Sequence, residues 1–167
     1  IVVDGTPTGW CQQHDEQTFE ARPARTFELA SICPQETSDI IRFLMRQPES
    51  DATMLAATDA AVAWLKEVRL TGIRVDRIKA PKEEFLRQTV SFDIVVVPDK
   101  NAPPVWARHY EIGTNRPVFA GRDGIKKYSL AEIERERRSG TLWYGYWPDY
   151  ELLGSYDAWR TSRDVSE

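Results

Sequence analysis

Apolar positions along the chain first follow the period of a helix and then that of a strand. Ile40, Ile41, Leu44 and Met45 recur at helical spacing. Pro34 stands where a helix accepts proline, Glu36 falls in the first turn, and Pro48 ends the run. A second helix is predicted from about Asp51 to Arg69, with Leu55, Val62, Leu65 and Val68 on one stripe, Trp64 beside it, and Thr71-Gly72 as the stop. The short connection between them predicts an antiparallel pair. Beyond it the period becomes two. Residues 73–78 alternate, 92–97 form a short apolar run, and 105–112 alternate again, which predicts three strands. The charged stretch 80–90 reads as a solvated excursion. Ser129 and Glu132 have the spacing of a capping box, predicting a helix to about Arg138 that Gly140 ends. Trp143, Tyr144, Tyr146 and Trp147 then crowd a stretch that Pro148 closes, and they read as core or as a lid over it. Residues 1–33, with Gly5, Pro7, Gly9 and Pro23, read as irregular chain with short extended pieces.

Composition narrows the class. The chain has 167 residues, 41% of them apolar and 29% charged, enough for one soluble domain with its own core. No apolar run approaches the ~20 residues of a membrane span. The opening IVVDGTPTGW lacks the charged and apolar regions of a signal peptide. A formal charge of −4 argues against a general nucleic-acid binder but leaves room for a local basic cleft. The two cysteines, Cys11 and Cys33, fit one disulfide or two buried thiols, and both readings stay open. Neither CxxC nor HxxH occurs, so no zinc site is expected.

The stretch ARHYEIGTNRPVFAGRDG (107–124) sets Arg108, Arg116 and Arg122 among Tyr110 and Phe119. Guanidinium forks match carboxylates and keep their charge. These arginines either pair with the chain's own Glu111 or Asp123, or wait for the repeated carboxylates of an acidic polysaccharide, whose sugar faces the aromatics would suit. His14 and Asp15 could form an acid–base pair, but no nucleophile motif such as GxSxG accompanies them. No two carboxylates have the spacing of a glycosidase or a calcium loop. The charged run SLAEIERERR (129–138) reads as a solvated or bridging helix.

WCQQHD (10–15), ARTFELAS (24–31), IIRFLM (40–45), WARHYEIGTNRPVFAGRDG (106–124) and YSLAEIERERRSGTLWYGYWP (128–148) together resemble the family 10 polysaccharide lyases, the pectic acid lyases. The resemblance runs in order over nearly the whole chain. It implies a mainly α fold, part of an (α/α) toroid-type pectate lyase domain with short β-strands and long loops around the cleft. Residues 1–167 would be the C-terminal portion of a single catalytic domain.

The implied activity is cleavage of polygalacturonate by calcium-assisted anti β-elimination, in a secreted or periplasmic monomer that acts on pectate oligosaccharides and on neither nucleic acid nor membrane. The resemblance places the base at Arg25. It gives Arg108 and Arg122 the substrate carboxylates, and Arg116, Tyr110, His14 and Asp15 the lining of the cleft. Arg42 is the second candidate for the base. The Ca2+ ligands are expected in the N-terminal part of the family's domain, outside this chain, so no residue here is assigned to the metal. A non-catalytic fragment that binds acidic glycans is the alternative. Arginine is an unusual base, because its pKa lies above ~12 and only neighbouring cations and burial can disfavour its charge.

Overall fold

In the computed structural model, residues 1–85 and 88–164 are described. Two small hairpins come first, β1 (Val2–Val3) with β2 (Thr6–Pro7) and β3 (Gln13–His14) with β4 (Ala21–Arg22). The helices α1 (Pro34–Met45) and α2 (Ala52–Glu67) follow and pack on each other. Pro34 occupies the first turn of α1 as expected, and the Asp51 carboxylate caps α2 by accepting from Met54 N at 2.8 Å.

The strands β5 (Ile73–Phe85) and β6 (Gln88–Pro98) form one long antiparallel hairpin, with a register shift between Lys79 and Glu83. The remaining strands are β7 (Trp106–Ala107), β8 (Phe119–Ala120), β9 (Lys126–Lys127) and β10 (Tyr144–Gly145). A 3-10 turn (Leu130–Glu132) and α3 (Arg135–Gly140) lie between β9 and β10, and α4 (Tyr150–Asp164) follows. Among the described residues the strands pair into five two-stranded sheets, β1–β2, β3–β4, β5–β6, β7–β10 and β8–β9.

This overturns the expectation of a mainly α, toroid-type architecture. The strands expected to be short pair extensively, and the hairpin alone spans residues 73–98. The expected excursion over 80–90 is also corrected. Glu83 pairs with Val90 and Glu84 with Thr89 in the ladder, while residues 86 and 87 lie outside the described set. A hairpin whose residues are mostly exposed or half-exposed tolerates the charged residues that suggested a loop. The expected strand 105–112 shrinks to Trp106–Ala107, with single bridges from Val105 to Leu70 and from Tyr110 to Ile32 and Pro117. The capping box is only half present. Ser129 Oγ accepts from Ala131 N at 3.3 Å, and the turn breaks at Ile133 before α3 begins.

The main core joins Ile41 of α1 and Ala61, Val62, Trp64 and Leu65 of α2 to Ile32, Trp106, Ala107, Tyr110 and Leu152. A second cluster holds Phe119, Leu130, Ile133 and Trp143, so the aromatic stretch contributes to core as expected. Arg138 grips Asp93 of the hairpin at 2.5 and 2.9 Å, and Arg135 donates to the carbonyls of Pro81 and Val90 at 2.6 and 3.1 Å. Glu136 and Arg137 are buried. The run 129–138 is therefore a charged clasp against the hairpin and not a solvated face. Cys11 and Cys33 are both buried free thiols. No helix among the described residues is long and apolar enough to cross a membrane.

Candidate active site

The segment 22–31 leaves β4 and folds back on itself before α1. Ala24 N donates to Glu28 O at 3.0 Å, and Glu28 N donates to Arg25 O at 2.7 Å. This turn aims Arg25 outward and tucks Glu28 beneath it. Arg25 Nε and Nη2 donate to Glu28 Oε2 and Oε1 at 2.7 and 2.5 Å, and Arg25 N also donates to Oε2, at 3.0 Å. The bidentate contact with Glu28 raises the pKa of Arg25 and lowers that of Glu28. A hollow of about 440 Å³ opens here, lined by Gln12, Gln13, Ala24, Arg25, Glu28 and Glu36.

Three more arginines converge on this turn. Arg108 follows β7, where its N–H extends the β7–β10 ladder by donating to Trp143 O at 2.7 Å. Its Nη1 donates to Gln35 Oε1 at 2.7 Å, and its Nη2 lies 3.8 Å from Glu36 Oε1, on the wall of the hollow. Arg122 sits in the turn 121–124, which packs against Thr26. Gly124 has φ +69°, and a Cβ there would lie 3.0 Å from Thr26 Cγ2. At Gly121 a Cβ would overlap the Glu134 carboxylate, whose Oε1 accepts from Arg122 N at 2.6 Å. The Arg122 fork binds Glu136, through Nε to Oε2 at 2.5 Å and through Nη2 to Oε1.

Arg137 reaches the same place from α3. Its guanidinium lies 3.8 Å from the centre of the Phe27 ring, and that of Arg25 lies 5.0 Å from the same ring. Burial lowers the pKa of Arg137, and the charges of Arg122 and Arg25 push the same way. Nothing in the sequence marked Arg137, Phe27, Glu28, Gln35 or Glu36. The i, i+3 spacing of Arg25 and Glu28 was the one visible hint.

The other expected cleft residues are placed differently. Tyr110 does not line the cleft. It is fully buried, with its hydroxyl donating to Val68 O at 2.8 Å and accepting from Ala107 N at 3.0 Å. His14 does not pair with Asp15. Its Nε2 accepts from Cys11 N at 3.1 Å, so Nδ1 carries the proton and donates to Phe19 O at 2.9 Å. Asp15 caps the turn at Gln17 and Thr18 and binds Arg22 at 3.3 Å. Those backbone donors, with the Arg22 contact, lower its pKa to about 2. Both residues serve the β3–β4 hairpin. Arg116 stacks 3.6 Å above the Tyr128 ring. Arg42 donates to Trp147 O at 2.9 Å and contacts Asp149, which makes it a tether between α1 and the segment before α4.

A larger hollow, about 860 Å³, lies between the hairpin and residues 139–149. Its cations are engaged in the scaffold. Arg77 stacks on Phe92 at 3.6 Å, and Arg42 holds Trp147. The smaller hollow has the convergent chemistry. It does not fit a calcium ion, however. Among the described residues no three His, Cys, Asp or Glu side chains converge. Both oxygens of Glu28 face Arg25, and Glu36 Oε1 accepts from Gln12 at 3.1 Å and faces Arg108, so of the four carboxylate oxygens here Glu36 Oε2 is the one without a hydrogen-bond partner among the described residues. One free carboxylate oxygen, even with the amide oxygens of Gln12 and Gln13, falls short of the six to eight oxygens that calcium takes.

The pectic acid lyase family model matches residues 1–152. A mutant of the family 10 polysaccharide lyase from Cellvibrio cellulosa, solved in complex with trigalacturonic acid, superposes with a TM-score of 0.70 at 31% identity over 87% of this chain. The same organism's family 10 polysaccharide lyase gives a TM-score of 0.69, also at 31% identity, over 90% of the chain. The chain spans 42% of each of those proteins. No curated protein sequence matches it. With the family model covering nine-tenths of its length and solved structures of that family sharing its fold, the chain belongs to the pectic acid lyase family.

Proposed function

We propose that this chain acts in the cleavage of polygalacturonate by anti β-elimination, with Arg25 taking the C5 proton and Arg108 and Arg122 holding substrate carboxylates. The observation that supports it best is that four segments of an acidic protein bring arginines to this hollow: Arg25 and Arg137 share the Phe27 ring, Arg122 acts on Arg137 from a turn packed against Thr26, and Arg108 reaches Glu36 on the wall. Each of the three proposed substrate-facing forks is backed by a glutamate less exposed than itself or, at Arg108, by a glutamate–glutamine pair. Such backing fixes the direction of a fork before an anion arrives.

In the reaction the C5–H bond breaks and its electrons form the C4=C5 double bond. The C4–O bond breaks, and the departing oxygen takes a proton from solvent. Negative charge grows on the C6 carboxylate as the proton leaves, and fixed guanidiniums stabilise it. Arg25 must be neutral to accept the proton. Burial and the repulsion between Arg25 and Arg137 push towards that state, and Glu28 pulls against it and dominates. High working pH favours the neutral form.

Calcium would be held by groups other than those lining this hollow, and the protein would act where pectate is met, secreted or periplasmic.

The test is Arg25→Lys, read as the initial rate of unsaturated product formation, in this chain or in a longer polypeptide that contains it. Lysine keeps the charge and loses the fork. Expected is a loss of nearly all turnover with KM little changed and an unaltered melting temperature, the pattern of an interaction made mainly in the transition state. Retention of more than about a tenth of kcat, a loss below ~1.4 kcal/mol, would remove Arg25 as the base. Binding of polygalacturonate without any unsaturated product would favour a glycan-binding fragment instead.

A further inference from the structure

We infer that Glu28 is the positioning residue of Arg25: its buried carboxylate grips the guanidinium by Nε and Nη2 and leaves Nη1 as the nitrogen presented to a substrate in the hollow. The inference rests on the elimination reading above. The geometry is lopsided in a telling way. The side chain of Arg25 is 72% exposed, and that of Glu28 is 7% exposed. A surface arginine ordinarily samples many rotamers, and here one glutamate holds both its fork and its backbone N–H. Glu28 is itself fixed from both sides of its backbone by the 24–28 turn. The grip is therefore made before substrate arrives, so the ordering does not have to be supplied at binding.

The same contact governs the proton. The groups facing Arg25 are Glu28 on its own turn, Glu36 across the hollow, Arg137 beyond Phe27 and Arg122 near it, with His109 behind Glu28. Glu28 touches the guanidinium directly at 2.7 and 2.5 Å, and its hold raises the pKa of Arg25 against the burial that opposes it. Glu28 thus sets a compromise. It aims the base, and it keeps that base protonated until the pH is high.

The experiment uses Glu28→Gln, which keeps the shape and one acceptor but removes the charge, with Glu28→Ala and Glu28→Asp alongside. By NMR at fixed pH, hydrogen exchange at Arg25 Nε–H should quicken about tenfold or more in Glu28→Gln and Glu28→Ala, because the charge-assisted bond is gone. In the rate profile, the alkaline rise of kcat/KM should move to lower pH by about half a unit or more in Glu28→Gln. Its plateau kcat should fall while KM stays nearly constant. Glu28→Asp, which keeps the charge on a shorter arm, should lose kcat without that downward shift.

Unchanged Nε–H exchange in Glu28→Gln would overturn the proposal whether or not the chain eliminates. So would an unmoved rate profile. Quickened exchange in a protein whose wild type forms no unsaturated product would sink the elimination reading and leave the hold of Glu28 on Arg25 standing.

Discussion

The guanidinium of Arg137 stacks 3.8 Å from the centre of the Phe27 ring, on a side chain that is 8% exposed. Its Nη2 donates to Thr141 Oγ1, while its Nε is buried without a hydrogen-bond partner among the described residues. Phe27 thereby lies between a buried cation and an exposed one, Arg25, and the two charges repel each other across it.

Arg137→Met, which keeps an apolar stem over Phe27, is expected to lower stability by about 1 kcal/mol through the lost cation–π contact. It should also weaken trigalacturonate binding by roughly 0.2–1 kcal/mol, the size of a screened charge that makes no direct contact. Chemical denaturation and calorimetric titration measure the two. Unchanged affinity would leave Arg137 in the scaffold alone.

Arg108→Ala and Arg122→Ala are each expected to cost about 1–3 kcal/mol of polygalacturonate affinity, since each removes a charge-assisted contact. Both positions already have partners, Gln35 with Glu36 and Glu136 respectively. If neither variant changes affinity, those internal contacts are their whole role.

Tyr110→Phe separates core from cleft. The hydroxyl is sealed between Val68 O and Ala107 N, so its removal should destabilise the chain by about 1–3 kcal/mol. Substrate affinity should not move. A binding defect at full stability would return Tyr110 to the cleft.

His109 makes stability depend on pH. It is 2% exposed, with Nδ1 2.9 Å from Ser31 Oγ and 3.4 Å from Cys33 Sγ, and with Nε2 unpartnered. Burial, helped by the charge of Arg108 and opposed by Glu28, lowers its pKa from 6.5 to about 4. The unfolded chain therefore takes up this proton before the folded chain does. The contribution of His109 is fully present above pH 6.5 and is lost as pH falls through about 4, roughly 3 kcal/mol in all. Asp15 and Glu111, both held down to about 2, act only in more acidic solution. Denaturant melts at pH 7, 6 and 5 should show falling stability, and His109→Phe should flatten that slope. Equal slopes in the two proteins would exclude His109 as the titrating group.

The helices were legible from sequence because their signals are local. Pro34 at the first turn, the Asp51 cap and the stripe of Val62, Leu65 and Val68 act within a few residues of one another. The hairpin was half legible. Residues 73–78 and 92–97 alternate or run apolar, but the strands continue through Lys79–Phe85 on cross-strand pairing, which periodicity does not register. α4 went unmarked, because no capping or periodic signal was read beyond Pro148, and the helix docks by distant contacts such as Arg160 to Asp59 and Arg163 to the carbonyls of Gln47 and Pro48.

The candidate site divides in the same way. Sequence by itself supplied the family motifs, and with them Arg25, Arg108 and Arg122 as the cations to watch. Gly121 and Gly124, which the sequence carries in the same stretch, let the Arg122 turn close against Glu134 and Thr26. Tertiary structure alone decided which carboxylate backs each fork, that Arg137 joins the cluster from a run that read as solvated or bridging, and that Tyr110 and His14 belong to the scaffold. The physical reason is separation along the chain. Arg108 meets Gln35 across 73 residues, and Ser31 meets His109 across 78. Contacts of that span leave no periodic trace in the sequence, and only the packing of the core brings their ends together.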